Sequence, residues 1–168
     1  MNQLRFVFAL LLVLVLPSAM AATDAQGISY VDVALQIARI PVQDGVSFDD
    51  AVESLKLRAN QHNLKFAGVS KVYKEIEALT GKTAKRTEIF SFCDGLTANK
   101  MLNADPLMVA FMPCRIAILE DAQGKRWVIS MMIDLKMLKD MPEDTRKSAE
   151  GVMASMKDMM VAASKGDL

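Results

Sequence analysis

The chain is 168 residues long, with 20 lysines and arginines, 20 aspartates and glutamates, and one histidine. An even charge balance supplies no global field for nucleic acid or an anionic membrane surface, and a lone histidine excludes a histidine-rich metal centre. Thirteen methionines against two tyrosines and one tryptophan make thioethers, which are flexible, the natural gap-fillers of the core.

Residues 1–21 read as a signal peptide, with one positive charge at Arg5, an apolar run from Phe6 to Leu16, and small residues at Ala19 and Ala21. The run is too short to span a bilayer as a helix, and Pro17 ends it. Cleavage after Ala21 is expected, which leaves a periplasmic or secreted mature chain of 147 residues (168 less 21). Such a chain, 22–168, makes one ordinary domain that can bury a core without staples. Beyond the signal no apolar run reaches membrane-spanning length, so no stable membrane insertion is expected after cleavage.

In "VDVALQI" the residues Val31, Val33, Leu35 and Ile37 alternate, which is the period of a half-buried strand, and Pro41 and Gly45 then punctuate the chain. Ser47 is a good N-cap for a helix over 47–62. Phe48, Ala51, Val52, Leu55 and Ala59 fall there at helical spacing, with Asp49, Asp50 and Glu53 near the positive end of the dipole. "LKFAGV" is a short second strand, and "VYKEIEALTG" a short helix stopped by Gly81. After the basic surface turn "KTAKRT" comes a strand from Glu88 to Cys93. Asp94 then caps a helix, "LTANKMLNAD", that Pro106 forces to stop. "CRIAILED" and "RWVISMMID" form a hairpin around Gly124. A long amphipathic helix over about 142–164 starts near Pro142, with Ala149, Val152, Met153, Met156, Met160 and Ala163 on its apolar face. The order predicts an α+β fold, in which an antiparallel or mixed sheet of about five strands carries helices packed on one face.

The chemical inventory is sparse. There is no Gly-rich phosphate loop after a strand, no nucleophile elbow and no HExxH. His62, in the polar run "NQHN" at a helix end, reads as a solvated side chain. Carboxylates fall on helix surfaces and turns without pairing as acid and base. In "MASMKDMM", Met153, Met156 and Met159 recur three apart, and thioethers are soft ligands for Cu(I). The same spacing docks a helix on a sheet, and that core reading is the stronger one. No catalytic residue, metal or cofactor is therefore assigned.

Cys93 and Cys114, the only two cysteines, stand out. One ends a strand and the other begins one. The intervening helix carries the chain back by roughly 15 Å at 1.5 Å per residue, and "PLMVAFM" can return that distance when extended. If the strands are antiparallel neighbours, their ends meet and a disulfide can form, as an oxidising envelope would favour. Two unreactive buried thiols, or a metal or sulfur-carrier site, are the alternatives. Cys93 precedes a helix, whose dipole favours a thiolate.

The arrangement "FCDGLTANKMLNADPLMVAFMPCRIAILED" resembles the core of the domain of unknown function 302 family. A cysteine ends a strand, a short helix runs to Asp105-Pro106, and Pro113-Cys114-Arg115 opens the next strand. "VSFDDAVESLKLRANQHNLKFAGVSKVYKEI" resembles the family's first helix, second strand and connecting helix. The resemblance spans about 47–134, within a family-like core of about 30–134, and leaves the signal peptide and the methionine-rich helix outside. It implies a domain like the TATA-binding-protein superfold, with no established enzymatic activity. Where family members commonly carry Asn-Pro after the first cysteine, this chain has Asp94-Gly95. On this resemblance Cys93, Asp94, Asn99, Pro113, Cys114 and Arg115 are the candidate binding residues.

The reading that follows is an exported binding or interaction module of the cell envelope, whose partner is an unknown small molecule or envelope protein. The alternative is a thiol-based redox or sulfur-carrier module using Cys93 and Cys114, which needs a free thiol of low pKa.

Overall fold

The computed structural model describes Gln26, Ile28, Ser29, Val31 and Val33, and every residue from Leu35 to Asp167. The expected signal peptide and its expected cleavage site lie outside the described residues. The chain divides into two units, Met1–Asp32 and Val33–Leu168, and every element below belongs to the second.

In chain order these are β1 (Leu35–Pro41), α1 (Phe48–Gln61), β2 (Lys65–Ser70), α2 (Val72–Thr80), β3 (Thr87–Cys93), α3 (Gly95–Ala104), β4 (Cys114–Glu120), β5 (Arg126–Ile133) and α4 (Glu143–Lys165). Two 3₁₀ turns, Pro106–Phe111 and Leu135–Leu138, lie between them. The strands form one sheet in the order β1-β5-β4-β3-β2, and every neighbouring pair is antiparallel. The fold is α+β with a five-stranded antiparallel sheet, as the element order predicts.

The helices begin and end where capping chemistry places them. Ser47 Oγ accepts from the Asp50 amide at 3.0 Å, and the Ser47 amide donates back to Asp50 Oδ2 at 3.1 Å, a reciprocal capping box that satisfies two donors at the start of α1. At the end of α2, Gly81 takes the left-handed conformation (φ +65°) that only glycine enters without cost.

One sheet face carries the main core. Phe90 and Phe92 from β3, Ile116 and Ile118 from β4 and Val128 from β5 point toward Ala51 and Leu55 of α1 and Met156 and Met159 of α4, all but sealed from solvent. Alternation along β3 (Glu88, Phe90 and Phe92 buried, their neighbours half-buried) is the period-two pattern of a strand with one covered face.

The first strand departs from its expected register. Leu35 and Ile37, expected on the buried face, are 43% and 68% exposed, whereas Ala38 and Ile40 pack on the core and Val42 is buried. Residues 31–42 hold two apolar sets of opposite parity, and a shift of one residue exchanges the faces. The helix-covered face takes the second set, while Ile37 pairs with Met131 and Leu35 with Ile133 on the other side. The strand accordingly starts at Leu35 rather than Val31.

His62 is also not the solvated side chain expected. Its Nε2 lies 2.7 Å from Asp158 Oδ2, and Arg58 Nη1 donates to both oxygens of the same carboxylate at 2.9 and 3.0 Å. This cluster ties α1 to α4 and holds the Asp158 carboxyl below its usual range, first through the His62 hydrogen bond and then through that from Arg58. Among the described residues no helix is long and apolar enough to cross a membrane.

Candidate functional site

The two cysteines are brought together by β3, α3 and the turn that follows. β3 ends at Cys93, and Asp94 stops it by capping α3. Asp94 Oδ1 accepts from the amides of Leu96 (3.0 Å) and Thr97 (3.2 Å), and Oδ2 accepts from Thr97 Oγ1 at 3.0 Å. α3 runs to Ala104, where Asp105 both ends it and caps the next turn, with Oδ1 accepting from the Leu107 amide at 2.9 Å. The segment "PLMVAF", expected to return extended, is instead coiled into a 3₁₀ turn, because Pro106 is pre-set for a helical first position and Asp105 supplies the cap. The Met112–Pro113 peptide is cis, and β4 opens immediately afterwards at Cys114.

β3 and β4 are antiparallel neighbours, with Phe92 directly opposite Cys114. The strand ends therefore meet, as the path argument requires. Cys93 is one residue beyond that pair, so the two thiols are spatial neighbours without being cross-strand partners. Both are free.

Between β3, α3, the 3₁₀ turn and α4 lies a cavity of about 40 Å³. Cys93, Asp94, Thr97, Met101, Met112, Pro113, Cys114 and Met153 are on its wall, with Phe92, Phe111 and Val152 among the rest. Four of the six candidate residues thus converge here: Cys93, Asp94, Pro113 and Cys114. The other two do not line it. Asn99 is exposed on α3, and Arg115 is exposed at the start of β4, lining an adjoining pocket of about 20 Å³ together with Cys114. Sequence reasoning missed Thr97, Met101 and Met112. The first two are an i, i+4 pair on α3, a spacing that marks one helix face. Met112 carried no such signal, since its position follows from the turn.

The electrostatics at Cys114 are set chiefly by burial, which pushes its thiol up to about 11 from an ordinary 9.0, with the neighbouring Cys93 adding to the rise. A raised thiol pKa stabilises the fold while the group is protonated. That contribution is complete below about pH 9 and is lost as pH rises through 11. At 1.36 kcal/mol per unit it amounts to at most about 3 kcal/mol. Urea denaturation between pH 8 and 11 is expected to show wild type losing more stability than Cys114→Ala across that window, and parallel curves would refute the shift.

Comparison with known families settles what the chain is. The family model for the domain of unknown function DUF302 matches residues 39–163, well over half of the sequence. The chain belongs to the DUF302 family. The match runs through α4, so the methionine-rich helix that the sequence reading set outside the family core lies inside it. The fold of this DUF302 protein is also that of the crystal structure of an uncharacterized conserved DUF302 protein from Bacillus stearothermophilus. The TM-score is 0.60 at 16% identity, over 76% of this chain and 97% of that one. A comparison with curated proteins gives no match.

Proposed function

We propose that this DUF302 protein is an exported, non-enzymatic binding module that holds a small ligand in the cavity at Cys93 and Cys114. The observation that carries the reading is the composition of that wall. Its one carboxylate, Asp94, already accepts three hydrogen bonds within its own cap, and the remaining lining is apolar or sulfur-bearing apart from Thr97, whose hydroxyl is tied to Asp94. Such a wall can enclose a guest, but it offers no paired acid and base to transform one. Size bounds the guest. Pockets for drug-sized ligands run to roughly 300–1,000 Å³, so about 40 Å³ suits an ion or a molecule of a few atoms.

Thiol exchange chemistry is the weaker reading, because the attacking group must be a free thiolate, and burial keeps Cys114 in its thiol form unless a bound cation displaces the proton. Export rests on the three-part pattern of residues 1–21.

The test is to purify the protein from the cell envelope and compare its mass under native and denaturing conditions. The chain is expected to begin at Ala22 and to carry a non-covalent adduct that is lost in Ala98→Phe, a substitution that fills the cavity from α3. A chain retaining Met1 would refute export. An adduct that persists in Ala98→Phe would place the ligand elsewhere.

A further inference from the structure

We propose that the guest of this cavity is a soft monovalent metal ion, Cu(I), an inference that rests on the cavity being the ligand site. Five sulfur-bearing side chains from separate parts of the chain line it: Cys93 at the end of β3, Met101 on α3, Met112 after the 3₁₀ turn, Cys114 at the start of β4, and Met153 on α4. The convergence is three-dimensional. The ladder of Met153, Met156 and Met159 along α4 is not the site, since Met156 and Met159 are sealed into the main core.

Ligand chemistry selects the ion. Thiolates and thioethers together favour Cu(I), whereas magnesium and calcium require oxygen ligands. Zinc takes thiolate, imidazole and carboxylate, usually four of them, and this wall offers two cysteines and one carboxylate. That carboxylate is saturated by its cap, and the imidazole of His62 is engaged by Asp158 elsewhere. Among the described residues no group of three or more His, Cys, Asp and Glu could hold a metal, so only a metal that accepts thioethers is served.

Cys93 and Cys114 supply the thiolate pair, with a thioether from Met101, Met112 or Met153 as the third ligand. Binding breaks two S–H bonds, forms two Cu–S bonds and releases two protons to solvent. The copper enters already reduced, so no electron is transferred. The resulting site carries one net negative charge.

The experiment uses the reduced mature chain without oxygen, titrated with Cu(I) against a bathocuproine chelator, with methionine methyl groups labelled for NMR. One equivalent is expected to bind and to shift at least one of the Met101, Met112 and Met153 methyls while leaving Met156 and Met159 in place. Cys93→Ser and Cys114→Ser should each weaken binding by more than about 100-fold, beyond the 10–100-fold of changes that merely surround a metal. Replacing the shifted methionine by leucine should weaken it without unfolding the chain, and Met156→Leu should not. Absence of binding, or Zn(II) held as tightly as Cu(I), would overturn the metal assignment. Xenon pressure on the same labelled protein separates the two levels of the argument. Methyl shifts at the cavity with xenon but not with copper would refute the metal and keep the pocket, whereas no response to either would refute both.

Discussion

Phe92→Ala is expected to cost about 3–5 kcal/mol of stability, the range for deleting a buried phenyl ring. The ring is fully buried, packs in the main core, and stands 5.9 Å from Phe66 in a tilted aromatic pair. It is also part of the cavity wall, so its removal joins the cavity to the core. The surroundings cannot collapse freely, because β3 is held between β2 and β4, and the void that remains adds to the lost transfer energy. Urea denaturation at neutral pH measures the loss. A change within about 0.5 kcal/mol, as for surface substitutions, would contradict the burial.

Met156 tests the opposite side of the core. It is 1% exposed and packs among the buried residues of the sheet and α1, so Met156→Ala should cost about 2–5 kcal/mol. Met156→Gln keeps the length of the side chain but buries an amide against apolar neighbours, and should cost at least as much. Met153→Leu, at the cavity wall, is a volume-conserving change and should cost less than about 1.5 kcal/mol. Equal and near-neutral results for both Met156 variants would mean that this face of α4 is exposed.

How far the sequence carried the architecture depended on the kind of signal. α1 was readable to within a residue at each end, because Ser47, the acidic first turn and the apolar spacing all agree. β3 and β4 were readable because each is a short, largely apolar run bounded by a turn signal, Asp94-Gly95 after the first and Pro113 before the second. β1 was misplaced for a physical reason: apolar residues occupy both parities between Val31 and Val42, and only the pairing with β5 decides which set turns inward. On α4 the core reading of the Met153, Met156 and Met159 spacing holds for Met156 and Met159, which are sealed in the core, whereas Met153 is only partly buried and sits at the cavity wall.

The candidate site was readable in its anchors and hidden in its walls. Cys93, Asp94, Pro113 and Cys114 lie at strand ends and caps, where local sequence dictates geometry. Met112 and Met153 reach the cavity through the coiling of "PLMVAF" and the docking of α4, and neither is a local property. Asn99 and Arg115 sat close in sequence to the right residues yet face away from the cavity, because a helix turns 100° per residue and a strand alternates its faces.

The central claim is that Cys93 and Cys114 are a free thiol pair lining one pocket, and thiol counting tests it most directly. Protein isolated without reductant is denatured in a light alkylating reagent, then reduced and treated with a heavier one. Both cysteines are expected to carry the light label. In the native protein at pH 8, Cys114 is expected to react more slowly than it does after unfolding, since a thiol at about 11 rather than 9.0 has about a hundredfold less thiolate. Two cysteines labelled only by the heavier reagent, in a chain 2 Da lighter before reduction as the loss of two hydrogens requires, would show a disulfide and contradict the account.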